Sequence, residues 1–400
     1  MRRKLVAVGV VVLLAATIAV SGCASGDDSV DTNGDVEPIR IGAVLSLTGS
    51  YAGLGAPEKN AIQMEVAKIN AEGGVNGRPI EVLIEDDATD AAIAQAAVTK
   101  LVDQEGVVAI LGATGTGQTM SMRADVIRTG VPQVSMAGGS VITDDLSEWV
   151  FQTPWPNRTV VPFTLAYMQE KGITKVAVLS DSGGYGQDGL AVTKAVAGDF
   201  GVEIVAEESY NAGDTDMTAQ LTKIRTSGAE MIWLWGAGSE AATVLKNQQD
   251  LAAGGAAIPV IGAPGNARIE LIEGAGPAAE GFEFAAGRIL LPESYGVDTE
   301  AYEVATDFVD RYEAEYGAKP DIFAGHAYDA LHIVVEALKR LPEGDIDAAA
   351  LRDEIEATTG FIGIGGTFNY SAEDHNGMTE DDLVIYRIQD GQWVLAEEAE

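Results

Sequence analysis

The stretch GATGTGQ at 112–118 follows the apolar run VVAIL at 107–111 and precedes a segment that reads as a helix to about Arg128. A glycine-rich turn between a strand and a helix lets backbone amides gather around an anion. The first amides of a helix have no intrahelical acceptors and sit at the positive end of its dipole. Simple helix capping by Thr116 or Thr119 is the competing role for these hydroxyls. The GATGTG pattern lacks the spacing of a dinucleotide fingerprint, and no acid follows at the distance such a site requires.

Other residues with chemical potential form no reactive set. Asp214 and Asp216 in GDTDMT (213–218) resemble a calcium loop without its closing glutamate, so helix capping by Asp214 or Thr215 is expected. The three histidines, His326, His332 and His375, show no metal-ligand spacing. His332 and Glu336 stand one turn apart and read as a solvated pair. A nucleophile elbow is missing, and the single cysteine has another use. The expectation is a protein that is not an enzyme and carries no cofactor and no metal.

What, then, positions the anion turn? Four hundred residues with 46% apolar content are enough for two buried cores. A formal charge of −36, spread along the chain, argues against nucleic acid and against a basic patch on an anionic membrane. Residues 2–4 (RRK) and the 16 apolar residues 5–20 suit a secretory leader and are short for a membrane span. VSGC at 20–23 is similar to a bacterial lipobox, which makes Cys23 the lipid attachment point and places the protein outside the cytoplasmic membrane. The boundaries expected are a leader over 1–22 and, over 23–38, a polar, acidic tether too poor in apolar residues to order itself.

From Ile39 short apolar runs alternate with helical periodicity. The runs are IRIGAVLSL (39–47), IEVLIEDD (80–87), VVAILG (107–112) and VPQVSMA (131–137), with helices near 56–72, 90–103 and 117–128. Such strands imply a parallel sheet covered on both faces. The pattern restarts at KVAVLSD (175–181), EIVAEESY (203–210), MIWLWG (231–236), PVIGAP (259–264) and FEFAA (282–286). Helices over 299–316, 324–341 and 346–358 and a strand pair within 382–396 must pack back onto earlier sheets, so the chain crosses between lobes more than once. MIWLWG reads as a buried strand with one tryptophan on each face. Together with Trp155, Trp233 and Trp235 would suit an aromatic guest.

From Ile39 to about Leu395 the chain resembles the type I periplasmic binding proteins of the branched-chain amino acid and amide class. The matching stretches include GAVLSLTGSYAGLG (42–55), VVAILGATGTGQT (107–119), YGQDG (185–189), GDTDMTAQLTKIR (213–225) and GHAYDAL (325–331). The resemblance implies an α/β fold with two Rossmann-like lobes joined by three crossovers. The lobes are expected to be 39–157 with 288–381, and 158–287 with 382–400. It also implies that Thr116, Gly117 and Gln118 hold a ligand carboxylate, and that Ala137 with Gly139 or Ser140 receives an amine. Tyr185, Ala237 and Pro264 are the second lobe's contribution. Amino-acid binders of this class place a glutamate where this chain has Pro264, a departure that removes the partner of an ammonium group unless an acid such as Asp181 or Glu240 reaches the cleft. The implied function is a monomeric, lipid-anchored solute-binding protein that hands a small amino acid, amide or carboxylate to an ABC permease. A ligand sensor and a lipid-anchored hydrolase are the alternatives.

Overall fold

Strand β1 (Ile39–Leu45) divides its side chains between two apolar layers: Ile41, Ala43 and Leu45 enter one core and Val44 the other. A strand buried on both faces needs a helix on each side, and the chain that follows supplies them. The computed structural model describes residues 37–252 and 255–397. The leader, Cys23 and nearly all of the tether lie outside the described residues.

After β1 come α1 (Ala52–Ala71), β2 (Ile80–Asp86), α2 (Ala91–Asp103), β3 (Ile110–Gly112), α3 (Thr116–Thr129), β4 (Gln133–Ser135), α4 (Val141–Asp144) and β5 (Val150–Gln152). The five strands form a parallel sheet in the order β2-β1-β3-β4-β5. Helices α2 and α3 pack together on one face, where Ala94, Val98, Met122 and Val126 meet Val44. The edge strand β5 lies outside the apolar runs expected from the sequence, because three residues carry too little periodicity to register.

The second sheet begins after α5 (Asn157–Glu170). Its elements are β6 (Lys175–Asp181), α6 (Gly184–Val196), β7 (Glu203–Tyr210), α7 (Thr218–Arg225), β8 (Met231–Trp235), α8 (Glu240–Ala252), β9 (Val260–Gly262), α9 (Ile269–Ala275) and β10 (Glu283–Ala286). The chain then returns to the first sheet with α10 (Glu300–Tyr316), α11 (Ile322–Arg340) and α12 (Ala348–Glu356), and α11 packs on α1, β3 and β4. A two-stranded ribbon, β11 (Phe361–Ile362) with β12 (Thr367–Phe368), precedes the last passage to the second sheet. There β13 (Val384–Gln389) and β14 (Gln392–Leu395) add antiparallel to give the order β14-β13-β10-β9-β8-β6-β7. The late helices therefore cover the first sheet, and the chain passes between sheets three times.

Three local expectations are corrected. Trp233 and Trp235 are two residues apart on one strand and so share a face, with ring centroids 5.2 Å apart and both side chains buried. His332 does not pair with Glu336: its Nε2 lies 3.0 Å from Glu65 Oε2, and Glu336 accepts from Lys339 at 2.7 Å. Glu65 is buried, and Arg311 completes its shell at 2.6 Å, tying α1 to α10 and α11. Asp214 closes a turn by accepting from the Asn211 amide at 2.8 Å, and it is Asp216 that receives the first amide of α7, from Thr218, at 2.8 Å.

Candidate functional site

The carboxyl ends of the two sheets face one another, and ligands of open α/β sheets bind beyond such ends. Between them lies a cavity of about 40 Å3, a few times what one water occupies by the same measure. From the first lobe it is lined by Tyr51 and Leu54 at the start of α1 and by the loops that follow β3, β4 and β5. Phe323 and His326 on the first turns of α11 complete that side. Tyr185, Ala237, Pro264 and Gly265 line it from the second lobe.

The β3 loop reaches this position because the chain must turn sharply between β3 and α3. Gly112 has a φ of +104°, a region that disfavours side chains. Gly115 caps α3 without a side-chain bond, and the first intrahelical acceptor, Gly115 O, is taken by Thr119. The amides of Thr116, Gly117 and Gln118 therefore precede any helical acceptor, an arrangement suited to an anion. Thr116 is buried, and its Oγ1 accepts from the Gly139 amide at 3.2 Å, which leaves the hydroxyl proton to be donated elsewhere. Capping does not account for Thr116, and Thr119 turns instead to Ser135 Oγ at 3.0 Å.

Of the residues singled out from the sequence, Thr116, Ala137, Tyr185, Ala237 and Pro264 line this cavity. Gly117 and Gln118 face a second, larger space of about 600 Å3 on its outer side, bounded also by Tyr51, Gly184, Asp181 and Glu240. Gly139 and Ser140 stand off the lining, which Gly138 occupies. Gly139 packs on Thr116, since a Cβ there would fall 2.4 Å from Thr116 Cγ2. Ser140 is committed to other partners: its amide donates to Asp188 at 2.8 Å and its Oγ accepts from the Arg158 amide at 2.6 Å. The Ala137 carbonyl already accepts from Gln152 Nε2 at 2.6 Å.

Sequence reasoning passed over several lining groups. Trp155 and His326 are buried in edge-to-face contact, centroids 5.1 Å apart, and neither Trp155 Nε1 nor His326 Nδ1 has a hydrogen-bond partner. Burial pushes the His326 imidazole down to about 3, so it is neutral at ordinary pH. Thr114 donates to Glu58 and accepts from the Ser46 amide at 3.0 Å, holding Glu58 behind the lining. Burial raises the Glu58 carboxyl well above the usual range, against the opposing effect of Thr114. In the outer space burial pushes Asp181 up to about 6, although the Gly183 and Gly186 amides favour its charged form.

The arrangement can hold an anion at the start of α3 and enclose an apolar body between two lobes. A profile described as periplasmic binding protein matches residues 38–392. The chain is 27% identical over 355 residues to a leucine-, isoleucine-, valine-, threonine- and alanine-binding protein of Pseudomonas aeruginosa, covering 88% of this chain and 90% of that protein. It is similar in structure to a branched-chain amino acid transporter substrate-binding protein of Streptococcus pneumoniae solved with isoleucine. That likeness has a TM-score of 0.78 at 28% identity and covers 91% of this chain and 98% of the other. An extracellular ligand-binding receptor from Rhodopseudomonas palustris superposes with a TM-score of 0.82 at 25% identity, covering 90% of this chain and 99% of the receptor.

Proposed function

This chain belongs to the type I periplasmic binding proteins of the branched-chain amino acid class, and from that premise we propose that it is the solute-binding lipoprotein of an ABC importer. It captures a small carboxylate-bearing molecule between the lobes and delivers it to a membrane permease, anchored by lipid on Cys23. Members of the family bind substrates rather than transform them, and they work outside the cytoplasm. Among the described residues no helix is long and apolar enough to cross a membrane.

One observation carries the reading. Thr116, at the first turn of α3, lines a cavity whose walls come from both lobes, and its hydroxyl proton is left to be donated to a guest, so a bound guest stabilises the closed arrangement selectively. A guest that contacted one lobe alone would shift nothing. The residues we assign to the ligand are Thr116, Ala137, Tyr185, Ala237 and Pro264, with Gly117 and Gln118 on the outer side.

The test is a broad thermal-shift screen of the purified chain against amino acids, amides and carboxylates, followed by small-angle scattering with each hit. A ligand at 100 times its Kd adds about 2.7 kcal/mol, a readily measured shift. Compaction on binding is the expected result. Silence across the screen, or binding with no compaction, would defeat the proposal.

A further inference from the structure

We propose that the inner cavity selects a carboxylate whose remaining polar group is uncharged, a hydroxy or oxo acid, over the matching α-amino acid, with His326 and Trp155 reading that group. The inference rests on the solute-binding reading above and narrows its ligand.

An ammonium in the inner cavity would meet no opposing charge in its walls: among the described residues, no Asp or Glu side chain lines the cavity. Pro264 offers no charge, and the Ala137 carbonyl, which already accepts once from Gln152, is neutral. The nearby acids stand off the lining, although Asp181 Oδ2 and Glu58 Oε1 are also without a hydrogen-bond partner. Glu58 is held behind Thr114, Asp181 and Glu240 border the outer space, and Asp321 accepts from the Phe323 and Ala324 amides at 3.0 Å each. The buried cation Arg268 stands close to Gly53, where a Cβ would fall 3.0 Å from its Nη1, but its Nη2 donates to Gly238 O at 2.9 Å and Glu270, Asp321 and Glu240 are its charged neighbours. Gly53 sits between the lining residues Tyr51 and Leu54. The positive end of α3 favours an anion at the Thr116 end of the cavity. A buried ammonium without a carboxylate is costly.

His326 and Trp155 are each about 2% exposed, line the cavity, and carry buried nitrogens with no partner in the protein. Buried polar atoms without partners are rare in folded proteins and costly to maintain. A neutral imidazole supplies one acceptor nitrogen and one donor, and an indole supplies a donor only. That pair satisfies a hydroxyl, which donates to the imidazole, or a carbonyl, which accepts from either ring. It offers an ammonium no compensating charge.

The experiment is calorimetric titration of the purified chain with two matched sets that differ only at the α-substituent. One set is alanine, lactate and pyruvate; the other is leucine, 2-hydroxy-4-methylpentanoate and 4-methyl-2-oxopentanoate. The expected result is that in at least one set the hydroxy or oxo acid binds about tenfold or more tightly than its amino acid. His326→Leu and Trp155→Phe should each erode that preference, and His326→Gln, which keeps a polar group, should retain most of it. An amino acid that binds as tightly as its analogues overturns the inference and leaves the solute-binding reading intact. A silent panel combined with hits in the broad screen also overturns it, and silence in both overturns the reading beneath it. Equal weakening of all three ligands by His326→Leu and Trp155→Phe would show that these rings do not read the substituent, which overturns their assignment.

Discussion

The carboxylate of Asp188, on α6 of the second lobe, accepts from the backbone amide of Ser140 at 2.8 Å and from that of Val141 at 3.2 Å, at the start of the first-lobe helix α4. An acid of one lobe thus caps a helix of the other. The same carboxylate receives Asn157 Nδ2 at 2.7 Å, where the chain first crosses between lobes. A capping carboxylate is worth about 1 kcal/mol, so Asp188→Ala should weaken ligand binding by about fivefold by loosening the closed arrangement. Titration calorimetry on the variant checks this, and an unchanged Kd would show that the bond contributes nothing to closure.

Thr116 offers a second point of attack. Its hydroxyl proton is free because Oγ1 acts as acceptor toward Gly139. Thr116→Val preserves shape and removes both functions, leaving the Gly139 amide and a bound carboxylate each short of one partner. The expected loss of affinity for a carboxylate ligand is roughly 1–3 kcal/mol. A variant that binds as the parent does would take Thr116 out of the site.

The acid response of the fold carries an unusual sign at Asp329. This α11 carboxylate is buried and accepts from the Ile364 amide at 2.6 Å and the Gly365 amide at 2.7 Å, pinning the ribbon loop. Burial nevertheless pushes it up to about 7 from an ordinary 3.8. A folded value above the unfolded one means that the native state holds the proton more firmly. Its contribution to stability is therefore complete below the unfolded value and is lost as pH rises through about 7. Urea midpoints of the parent should fall between pH 5 and pH 7.5 more steeply than those of Asp329→Asn, which has no proton to lose. Parallel profiles for the two proteins would contradict the assignment.

Legibility in the sequence followed distance along the chain. The turn at 112–118, the alternation of strand and helix and the return of the late helices are local patterns of glycine, period and length, and each could be read from its own residues. The tryptophans of β8 were misread although the rule of two applies to them, since neighbouring positions on one strand alternate faces and Trp233 and Trp235 do not neighbour. Other features depend on segments that only folding brings together. Nothing near His332 in sequence points to Glu65 as its partner, and Trp155 meets His326 only because α11 returns to the first sheet. In the loop after β4 a shift of one residue separates Gly138, which lines the cavity, from Gly139 and Ser140, which brace Thr116 and Asp188. Spacing along a loop cannot decide that shift, because it depends on packing from the opposite lobe.

Closure itself can be tested at one glycine. A Cβ added at Gly184, the first residue of α6, would fall 2.9 Å from the Gly117 amide nitrogen and 3.2 Å from its Cα, atoms of the facing lobe's backbone. Backbone cannot swing aside as a side chain can, so in Gly184→Ala the two lobes must stand slightly apart or strain. Overpacking of this kind costs roughly 1–3 kcal/mol, and here the cost falls on the closed arrangement alone. Within its own helix alanine is the better residue, by up to about 1 kcal/mol. The two effects have opposite signs in two measurements. The unliganded variant should melt at or above the parent's Tm, while its ligand affinity falls by about tenfold or more. A loss of Tm would place the damage in the fold of the second lobe. Undiminished affinity would mean that the ligand-bound form does not bring Gly184 against Gly117.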